Sequence, residues 1–189
     1  MPDKPVAAGK SSFDLIDVQK TLPLLLPDEG GTLLDLACGP GDYSLAMADK
    51  MRECGRVIAL DLWEQGIAAL RRTTAVQGIA NLEARVTDIR KPLPLMQNSI
   101  DSSLLATVLH DLEGEEQGHV LAQLSNVLKG GGLLNVIEFK KVAEGPGPPL
   151  RIRLAEEDID RLAADCGFQK VQSAEIGNYN YLVQYRLVQ

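Results

Sequence analysis

The sequence predicts a three-layer α/β/α sandwich built on a seven-stranded, mostly parallel sheet whose last strand is antiparallel. Three observations lead to this fold class. Short apolar runs of strand length alternate five times with longer segments of helical spacing. Two further apolar runs near the C-terminus flank Gly177-Asn178, a dipeptide typical of a hairpin turn. Alternation of strands and helices favours a parallel sheet covered on both faces, and the closing hairpin reverses the last strand.

The individual elements follow in order from the same patterns. The first helix contains Pro23, which is expected to kink or end it, because proline lacks the amide hydrogen. The triplet Gly130-Gly131-Gly132 is expected to stop the fourth helix. The predicted helices are 13–26, 42–53, 63–76, 114–128 and 155–166, and the predicted strands are 32–37, 56–60, 82–86, 100–106, 133–139, 168–175 and 179–188.

The length of 189 residues suits one domain with one sizeable core. Residues 1–12 are polar and rich in proline, glycine and lysine, so we expect a flexible N-terminal tail. Residues 13–189 are expected to form a single domain. Within it, the N-terminal helix over 13–27 and the proline-rich loop 142–153 are the segments available as a lid over a ligand.

Composition disfavours several classes of partner. A net charge of −7 with dispersed Lys and Arg disfavours nucleic acid or an anionic membrane, because phosphate binding needs a basic face. The apolar runs are too short to span a bilayer, and the first residues lack the apolar stretch of a signal peptide. Cys38, Cys54 and Cys166 lack the spacing of a zinc site or a disulfide framework, so no metal is predicted. These features predict a cytoplasmic protein.

The turn after the first strand is where a ligand is expected, because doubly wound sheets bind ligands at the carboxyl ends of their strands. That turn holds Gly39-Pro40-Gly41, and glycines let a backbone approach a ligand closely. Asp35 ends the first strand, and Asp61 ends the second, where an acid can accept both hydroxyls of a ribose. Alone, Gly-x-Gly is equally compatible with a tight turn. The alternative role for Asp61, less favoured than ribose binding, is an ordinary cap for the helix that starts at Trp63.

A nicotinamide or flavin enzyme is the rival interpretation of this turn. Its fingerprint is G-x-G-x-x-G, but Ser44 stands at the third glycine position. Asp42 also begins the following helix, where a pyrophosphate would have to bind, and two anions there repel each other. The spacing therefore disfavours a dinucleotide.

These segments resemble the motifs of class I S-adenosylmethionine-dependent methyltransferases, in the small-molecule branch (methyltransferase domain 11 and 25 type). The run Leu33-Leu34-Asp35-Leu36-Ala37-Cys38-Gly39-Pro40-Gly41 is similar to motif I of that family. Further similar segments are 57–61, 86–89 with 98–101, 105–112 and 128–132. The resemblance implies S-adenosyl-L-methionine as cofactor and S-adenosyl-L-homocysteine as product.

The resemblance also implies a role for each matching residue. Gly39 and Gly41 would pass beneath the methionine moiety, Asp35 would reach its amino group, and Asp61 would hold the ribose. Tyr43 is counted among the residues that line the site. Leu62 and Ile89 would enclose the adenine, with Asp88 accepting from its amino group, and Ala106 and Thr107 would line the methionine end by backbone contact. Ala37 departs from the pattern, since many members have glycine there.

His110 is the candidate catalytic residue, because it follows the fourth strand at the rim where acceptor and cofactor would meet. As a general base it would take a proton from the acceptor. The alternative is a structural or cofactor-side hydrogen bond, and histidine in such a turn often has that role. His119 is expected on the surface. The predicted function is methyl transfer to a small molecule. A second copy of the chain, forming a homodimer, is a further expected partner. The alternative is a non-catalytic cofactor-binding protein or a subunit of a methyltransferase complex, and the sequence does not name the acceptor.

Overall fold

The fold is described from a computed structural model, which covers residues 8–27 and 30–188. Residues 1–7 of the predicted tail, Asp28, Glu29 and Gln189 lie outside the described residues. The helices are α1 Val18–Leu25, α2 Asp42–Lys50, α3 Glu64–Gln77, α4 Glu115–Val127 and α5 Glu156–Asp165. The strands are β1 Gly31–Leu36, β2 Gly55–Asp61, β3 Leu82–Val86, β4 Ile100–Ala106, β5 Leu128–Phe139, β6 Phe168–Glu175 and β7 Asn180–Leu187.

The seven strands form one sheet in the order β3-β2-β1-β4-β5-β7-β6. Strands β1 to β5 pair in parallel, whereas β7 runs antiparallel to both of its neighbours, β5 and β6. This arrangement confirms the predicted sheet and its antiparallel last strand. Because β1 and β4 are neighbours at the centre, the chain reverses its direction of winding between them, and their carboxyl ends flank a crevice.

Apolar side chains cover both faces of the sheet, which confirms the three-layer architecture. Alternate residues of β1 separate accordingly, with Leu34 in one buried cluster and Leu33 in the other. The first cluster includes residues of α4 and α5, and the second includes residues of α1, α2 and α3. Strands buried on both faces explain the continuous apolar runs in the sequence.

The prediction that the glycine triplet ends α4 is wrong. The helix ends at Val127, and its cap Leu128 already has the extended backbone of β5. In the pairing with β4, Ile100 lies opposite Leu128 and Ser102 lies opposite Leu133, so the glycines form an irregularity inside β5. Glycine is favoured at such a bulge because Gly131 has a φ of +79°.

The N-terminal segment differs from the predicted helix over 13–26. A single 3-10 turn, Phe13–Leu15, precedes α1, and Ile16 between them is extended. Pro23 lies inside α1 with its ring exposed and does not end the helix. Ser12, placed in the flexible tail by sequence, is instead 2% exposed, because its hydroxyl bonds to the buried Tyr43.

Candidate cofactor site

The loop after β1 lies at the central crevice and has an unusual backbone. Ala37, Gly39 and Gly41 all have positive φ, at +63°, +55° and +91°. The Ala37 amide donates to the carbonyl of Leu60 in β2, which fixes this turn. A left-handed conformation is costly for alanine, which explains physically why glycine suits this position.

A small cavity of about 20 Å³ opens beside this loop at the ends of β1 and β4. It brings together Asp35, Ala37, Gly39, Tyr43, Ala106 and Thr107 of the predicted site. Sequence reasoning missed the segment Lys10–Ser12, which also lines the cavity together with Cys38. Leu62, Asp88, Ile89 and His110 do not line it. Gly41 does not line it either, and is the N-cap of α2.

Asp35 is the buried acid of this cavity. Its carboxylate accepts a hydrogen bond of 2.5 Å from the hydroxyl of Ser44 and is 1% exposed. Burial raises the pKa of Asp35 to about 7, and the hydrogen bond from Ser44 opposes that rise only in part. A buried acid of this kind favours a cationic partner, because a positive charge offsets the desolvation of the carboxylate. Ser44, noted in the sequence as a missing glycine, is therefore the residue that holds this acid.

Asp61 joins the loop to the start of α3. One carboxylate oxygen accepts from the Gly39 amide at 2.8 Å, and the other accepts from the Trp63 amide at 2.7 Å. The bond to Trp63 is the capping role that the sequence left open. The bond to Gly39 places the acid directly beside the glycine turn, which is the position a ribose-binding acid requires.

The residues predicted to enclose an adenine lie at the ends of β2 and β3. Leu62 is 43% exposed, whereas Ile89 is buried, and its carbonyl accepts from Gln123. Arg90 binds both carboxylate oxygens of Asp88, at 2.9 and 3.1 Å, and these hydrogen bonds lower the pKa of Asp88. Asp88 is therefore ionised and already shared with a guanidinium.

His110 is buried against an acid that sequence reasoning missed. Its Nδ1 lies 2.7 Å from Oε2 of Glu138, and its amide donates to Oε1 of the same carboxylate at 3.2 Å. Its Nε2 lies 3.7 Å from the carboxylate of Asp111. Burial lowers the pKa of His110, but the hydrogen bond and charge of Glu138 outweigh it and leave the pKa above its ordinary value. The available signal was an acid inside the apolar run of β5, Leu133 to Phe139.

The loop after β5 is held over this pair by Arg153, which is 5% exposed. Its guanidinium donates to four carbonyls of the loop, those of Lys140, Val142, Pro146 and Pro148. It also lies 5.6 Å from the centre of the Phe139 ring, and the centre of the His110 ring lies 6.0 Å from that of Phe139. The loop expected to act as a lid is therefore fixed in place by one buried cation.

The donor set fits S-adenosylmethionine better than a dinucleotide. Asp35 suits the ammonium group of a methionine moiety, and the glycine turn leaves room for backbone contact. Asp42 in the first turn of α2 disfavours a pyrophosphate, which this cofactor lacks.

Comparisons with known proteins agree with the cofactor assignment. A methyltransferase domain model matches residues 27–180. A solved S-adenosylmethionine-dependent methyltransferase from Aquifex aeolicus is 26% identical, with a TM-score of 0.84 over 98% of this chain and 95% of that one. The [4+2]-cyclase SpnF is 17% identical, with a TM-score of 0.75 over 90% of this chain and 80% of that one, which shows the shared fold alone.

Curated relatives are similar over part of their length. The ubiquinone/menaquinone biosynthesis C-methyltransferase UbiE of Hydrogenovibrio crunogenus is 31% identical over 116 residues, which are 61% of this chain and 44% of that protein. The demethylmenaquinone methyltransferase of Listeria monocytogenes serotype 4a is 29% identical over 120 residues, 64% of this chain and 49% of that protein. The chain thus spans about half the length of these relatives. The family model and the site together show that this chain belongs to the methyltransferase domain family, whose cofactor is S-adenosylmethionine.

Proposed function

We propose that this protein transfers a methyl group from S-adenosylmethionine to a small-molecule acceptor that loses a proton in the reaction. The proposal is carried by the presence of two separate buried groups. One is the acid Asp35 in the cofactor crevice, and the other is the hydrogen-bonded pair of His110, which follows β4, and Glu138 in β5. The first suits the cofactor and the second suits removal of a proton. When bound, the cofactor supplies an electrophilic methyl group on a sulfonium.

The residues proposed to hold the cofactor follow from their positions. Asp35 would bind the ammonium group, and the turn containing Gly39 and Gly41 would lie beneath the methionine moiety. Asp61, already bonded to the Gly39 amide, would bind the ribose through its remaining acceptor capacity. At the other end, Leu62, Asp88 and Ile89 would bind the adenine, and Ala106 and Thr107 would contribute backbone contacts.

The Glu138–His110 pair has the arrangement of an oriented general base. Glu138 accepts from Nδ1 when His110 is neutral, so the proton sits on Nδ1 and the lone pair on Nε2. Nε2 would take the proton that the acceptor loses as its new bond to the methyl carbon forms. The electron pair of the broken carbon–sulfur bond remains on sulfur. An acceptor that must lose a proton, from a ring carbon or a hydroxyl, needs such a base, whereas a thiolate does not.

The curated relatives suggest which acceptors to test first. Two of them are named for methylation in quinone biosynthesis, one explicitly as a C-methyltransferase. We infer that a reduced quinone ring is the first acceptor class to test. Among the residues that the structure describes, no helix is long and apolar enough to cross a membrane. The experiment uses quinols with short side chains, because these dissolve in water.

The test measures methyl transfer from S-adenosylmethionine to a short-chain demethylated quinol, a catechol, a thiol and an amine. We expect turnover with an acceptor that loses a proton, and a loss of at least 100-fold in His110→Ala, since general bases contribute on the order of 100- to 10,000-fold. His119→Ala, a change at an exposed histidine of α4, is the matched control and is expected to retain full activity.

The pH profile separates a base from a structural histidine. Glu138→Gln keeps an oxygen that accepts from Nδ1 but removes the charge that raises the pKa of His110. The acidic limb of the rate profile is therefore expected to move to lower pH in this variant. An unmoved limb, or full activity in His110→Ala, would contradict the role as a base. Binding of S-adenosylhomocysteine without turnover of any acceptor would instead favour the non-catalytic alternative.

Location and assembly remain proposals of the same kind. We infer a cytoplasmic location, which the free thiols of Cys38, Cys54 and Cys166 support, because oxidising compartments favour disulfides. Cell fractionation tests it. A homodimer is proposed because the segments available as a lid, 13–27 and 142–153, are short, so that a second subunit would complete the cover. Light scattering of the purified protein tests it.

A further inference from the structure

His110 lies in a short turn that the surrounding structure holds in place. The 3-10 turn Leu109–Asp111 follows β4, and its hydrogen bonds extend beyond its own backbone. The side-chain amide of Gln117 in α4 donates to the carbonyls of Leu109 and Leu112, at 3.0 and 3.1 Å. Because the turn is bonded on both sides of His110, the imidazole has a fixed position. A change in its charge therefore has to be met by movement of neighbouring side chains.

The two ring nitrogens of His110 lie next to two different carboxylates. Nδ1 lies 2.7 Å from Oε2 of Glu138, whose side chain is completely buried. Nε2 lies 3.7 Å from Oδ1 of Asp111, whose side chain is 35% exposed. The imidazole thus has one buried acid on one nitrogen and, near the other, an acid that water also reaches.

The distance from Nε2 to Asp111 is too long for a hydrogen bond, and the charge state of the ring explains why. When Nδ1 carries the proton of the neutral imidazole, Nε2 presents a lone pair, and an ionised carboxylate has no proton to donate to it. After Nε2 gains a proton, both nitrogens are donors and the ring is a cation. The same two side chains then attract each other, and rotation of the exposed Asp111 side chain can bring its oxygen within hydrogen-bond distance.

Within the described part of the chain, charged side chains from several segments act on this imidazole. Glu138 in β5 and Asp111 in the turn both favour the imidazolium, whereas Arg153, which follows the loop after β5, disfavours it. Arg153 is held by the carbonyls of that loop, and Glu138 is enclosed in the core. α4 contributes the neutral amide of Gln117 to the turn. Of these charged groups, the exposed Asp111 is the one that can move when the charge of the ring changes.

We propose that Asp111 closes on Nε2 when His110 becomes protonated, so that two carboxylates hold the imidazolium, and withdraws when the ring is neutral. The inference rests on the proposed role of His110 as the base and adds a positioning residue to it. In the reaction, the proton that leaves the acceptor ends on Nε2, and the electron pair of the broken carbon–sulfur bond stays on sulfur. Asp111 stabilises the imidazolium formed in that step, and its withdrawal leaves the lone pair of Nε2 accessible to the next acceptor.

An exposed acid suits this role better than a second buried acid. A buried carboxylate in permanent contact with Nε2 would favour the imidazolium so strongly that the base would remain protonated and inactive. Water and salt screen the exposed Asp111, so its attraction for the ring is modest. The ring can therefore lose its proton again after each turnover.

Nuclear magnetic resonance of the ligand-free protein tests the proposal, because the chain contains only two histidines. His119→Ala identifies the signals of the exposed His119, which serve as the internal reference. Asp111→Asn keeps an oxygen in a similar position but removes the charge. We expect it to lower the pKa of His110 relative to the wild type, and Glu138→Gln to lower it further, because Glu138 is closer and hydrogen-bonded.

The salt dependence of the same titration is a readout that a merely structural role would not change. Raising the ionic strength from about 0.05 to about 0.5 M screens exposed charges far more than buried ones. We expect it to lower the pKa of His110 in the wild type and to have less effect in Asp111→Asn. Asp111→Glu keeps the charge and is expected to keep the salt dependence. Glu113→Gln removes another exposed acid of the same segment and is expected to behave as the wild type does.

Turnover connects this contact to the reaction. With an acceptor that loses a proton, Asp111→Asn is expected to lower kcat about two- to fivefold with KM unchanged, which is the range expected for an exposed ion pair. The acidic limb of its rate profile is expected to move to lower pH, in the same direction as the pKa of His110. Asp111→Glu is expected to restore most of the lost rate.

The outcomes separate this inference from the proposed function. An equal pKa of His110 in the wild type and in Asp111→Asn, with thermal unfolding showing that both are folded, would overturn the contact, and this measurement needs neither cofactor nor acceptor. A lowered pKa together with an unchanged kcat and pH profile would overturn the role of Asp111 in the reaction. Full activity in His110→Ala would overturn the base itself and leave the result of the titration intact.

Discussion

Replacing Asp35 with asparagine is expected to stabilise the ligand-free protein above neutral pH while weakening cofactor binding. The folded protein holds the pKa of this carboxyl at about 7, because burial disfavours its charge. In the unfolded chain the same group titrates near an ordinary value of about 3.9. Between these two values the folded state retains a proton that the unfolded state has lost.

The sign and size of the effect follow from proton linkage. Because the folded state binds more protons, the free energy of unfolding falls as the pH rises from about 4 to about 7, and it remains at the lower level above that range. A difference of about three pKa units corresponds to on the order of 4 kcal/mol, at 1.36 kcal/mol per unit. Asparagine carries no charge, still accepts from Ser44, and removes this pH-dependent loss.

Urea unfolding at pH 5 and pH 8.5 measures the effect. We expect Asp35→Asn to exceed the wild type in stability by a few kcal/mol at pH 8.5 and by much less at pH 5. The exposed acid Asp49, which pairs with Arg52 on the surface, supplies the control variant Asp49→Asn, for which we expect no such difference. Parallel pH dependences for Asp35→Asn and the wild type would refute the reasoning.

Cofactor binding gives the second half of the same prediction. The ammonium group of S-adenosylhomocysteine favours ionised Asp35, so at pH 6 the wild type is expected to release up to one proton on binding. Calorimetry in buffers of different ionisation enthalpy measures that release. Asp35→Asn is expected to bind at least tenfold more weakly and to release no proton from this site, because an ionic hydrogen bond has been lost.

Three further substitutions test the structure around the site. Ala37→Gly is expected to raise the thermal midpoint by roughly 1–3 °C, because glycine relieves the left-handed backbone at a small entropic cost. Gly41→Ala is expected to lower the free energy of unfolding by about 2 kcal/mol, because the φ of Gly41 is +91° and the added Cβ would lie 2.6 Å from Leu70. An unchanged midpoint of urea unfolding would contradict the backbone described for this turn. Arg153→Lys is expected to speed proteolytic cleavage within the loop 140–152, because an ammonium cannot reach all four carbonyls that the guanidinium binds. Equal cleavage rates in the variant and the wild type would show that the loop is held by other contacts.

The sequence was sufficient for features whose cause is local. Apolar runs between turns predicted the strands because parallel strands are buried on both faces, and Gly39 and Gly41 marked the turn because their backbone conformation excludes most side chains. The glycine triplet in β5 misled the prediction, because glycine suits both a helix end and a bulge, and only pairing with β4 decided between them. Ser12 was assigned to the tail because a polar residue in a polar segment shows no sign of burial.

The sequence by itself therefore determined the layer order of the fold, the cofactor turn and the acids at the ends of β1 and β2, since each depends on residues close together in the chain. Only the tertiary structure decided which groups act together. Glu138 meets His110 because β5 lies beside β4, and Ser12 meets Tyr43 and Thr107 because the segment Lys10–Ser12 lines the cavity at the ends of β1 and β4. Such contacts join residues about 30 to 95 positions apart, and sheet order, rather than any local pattern, brings them within hydrogen-bond distance.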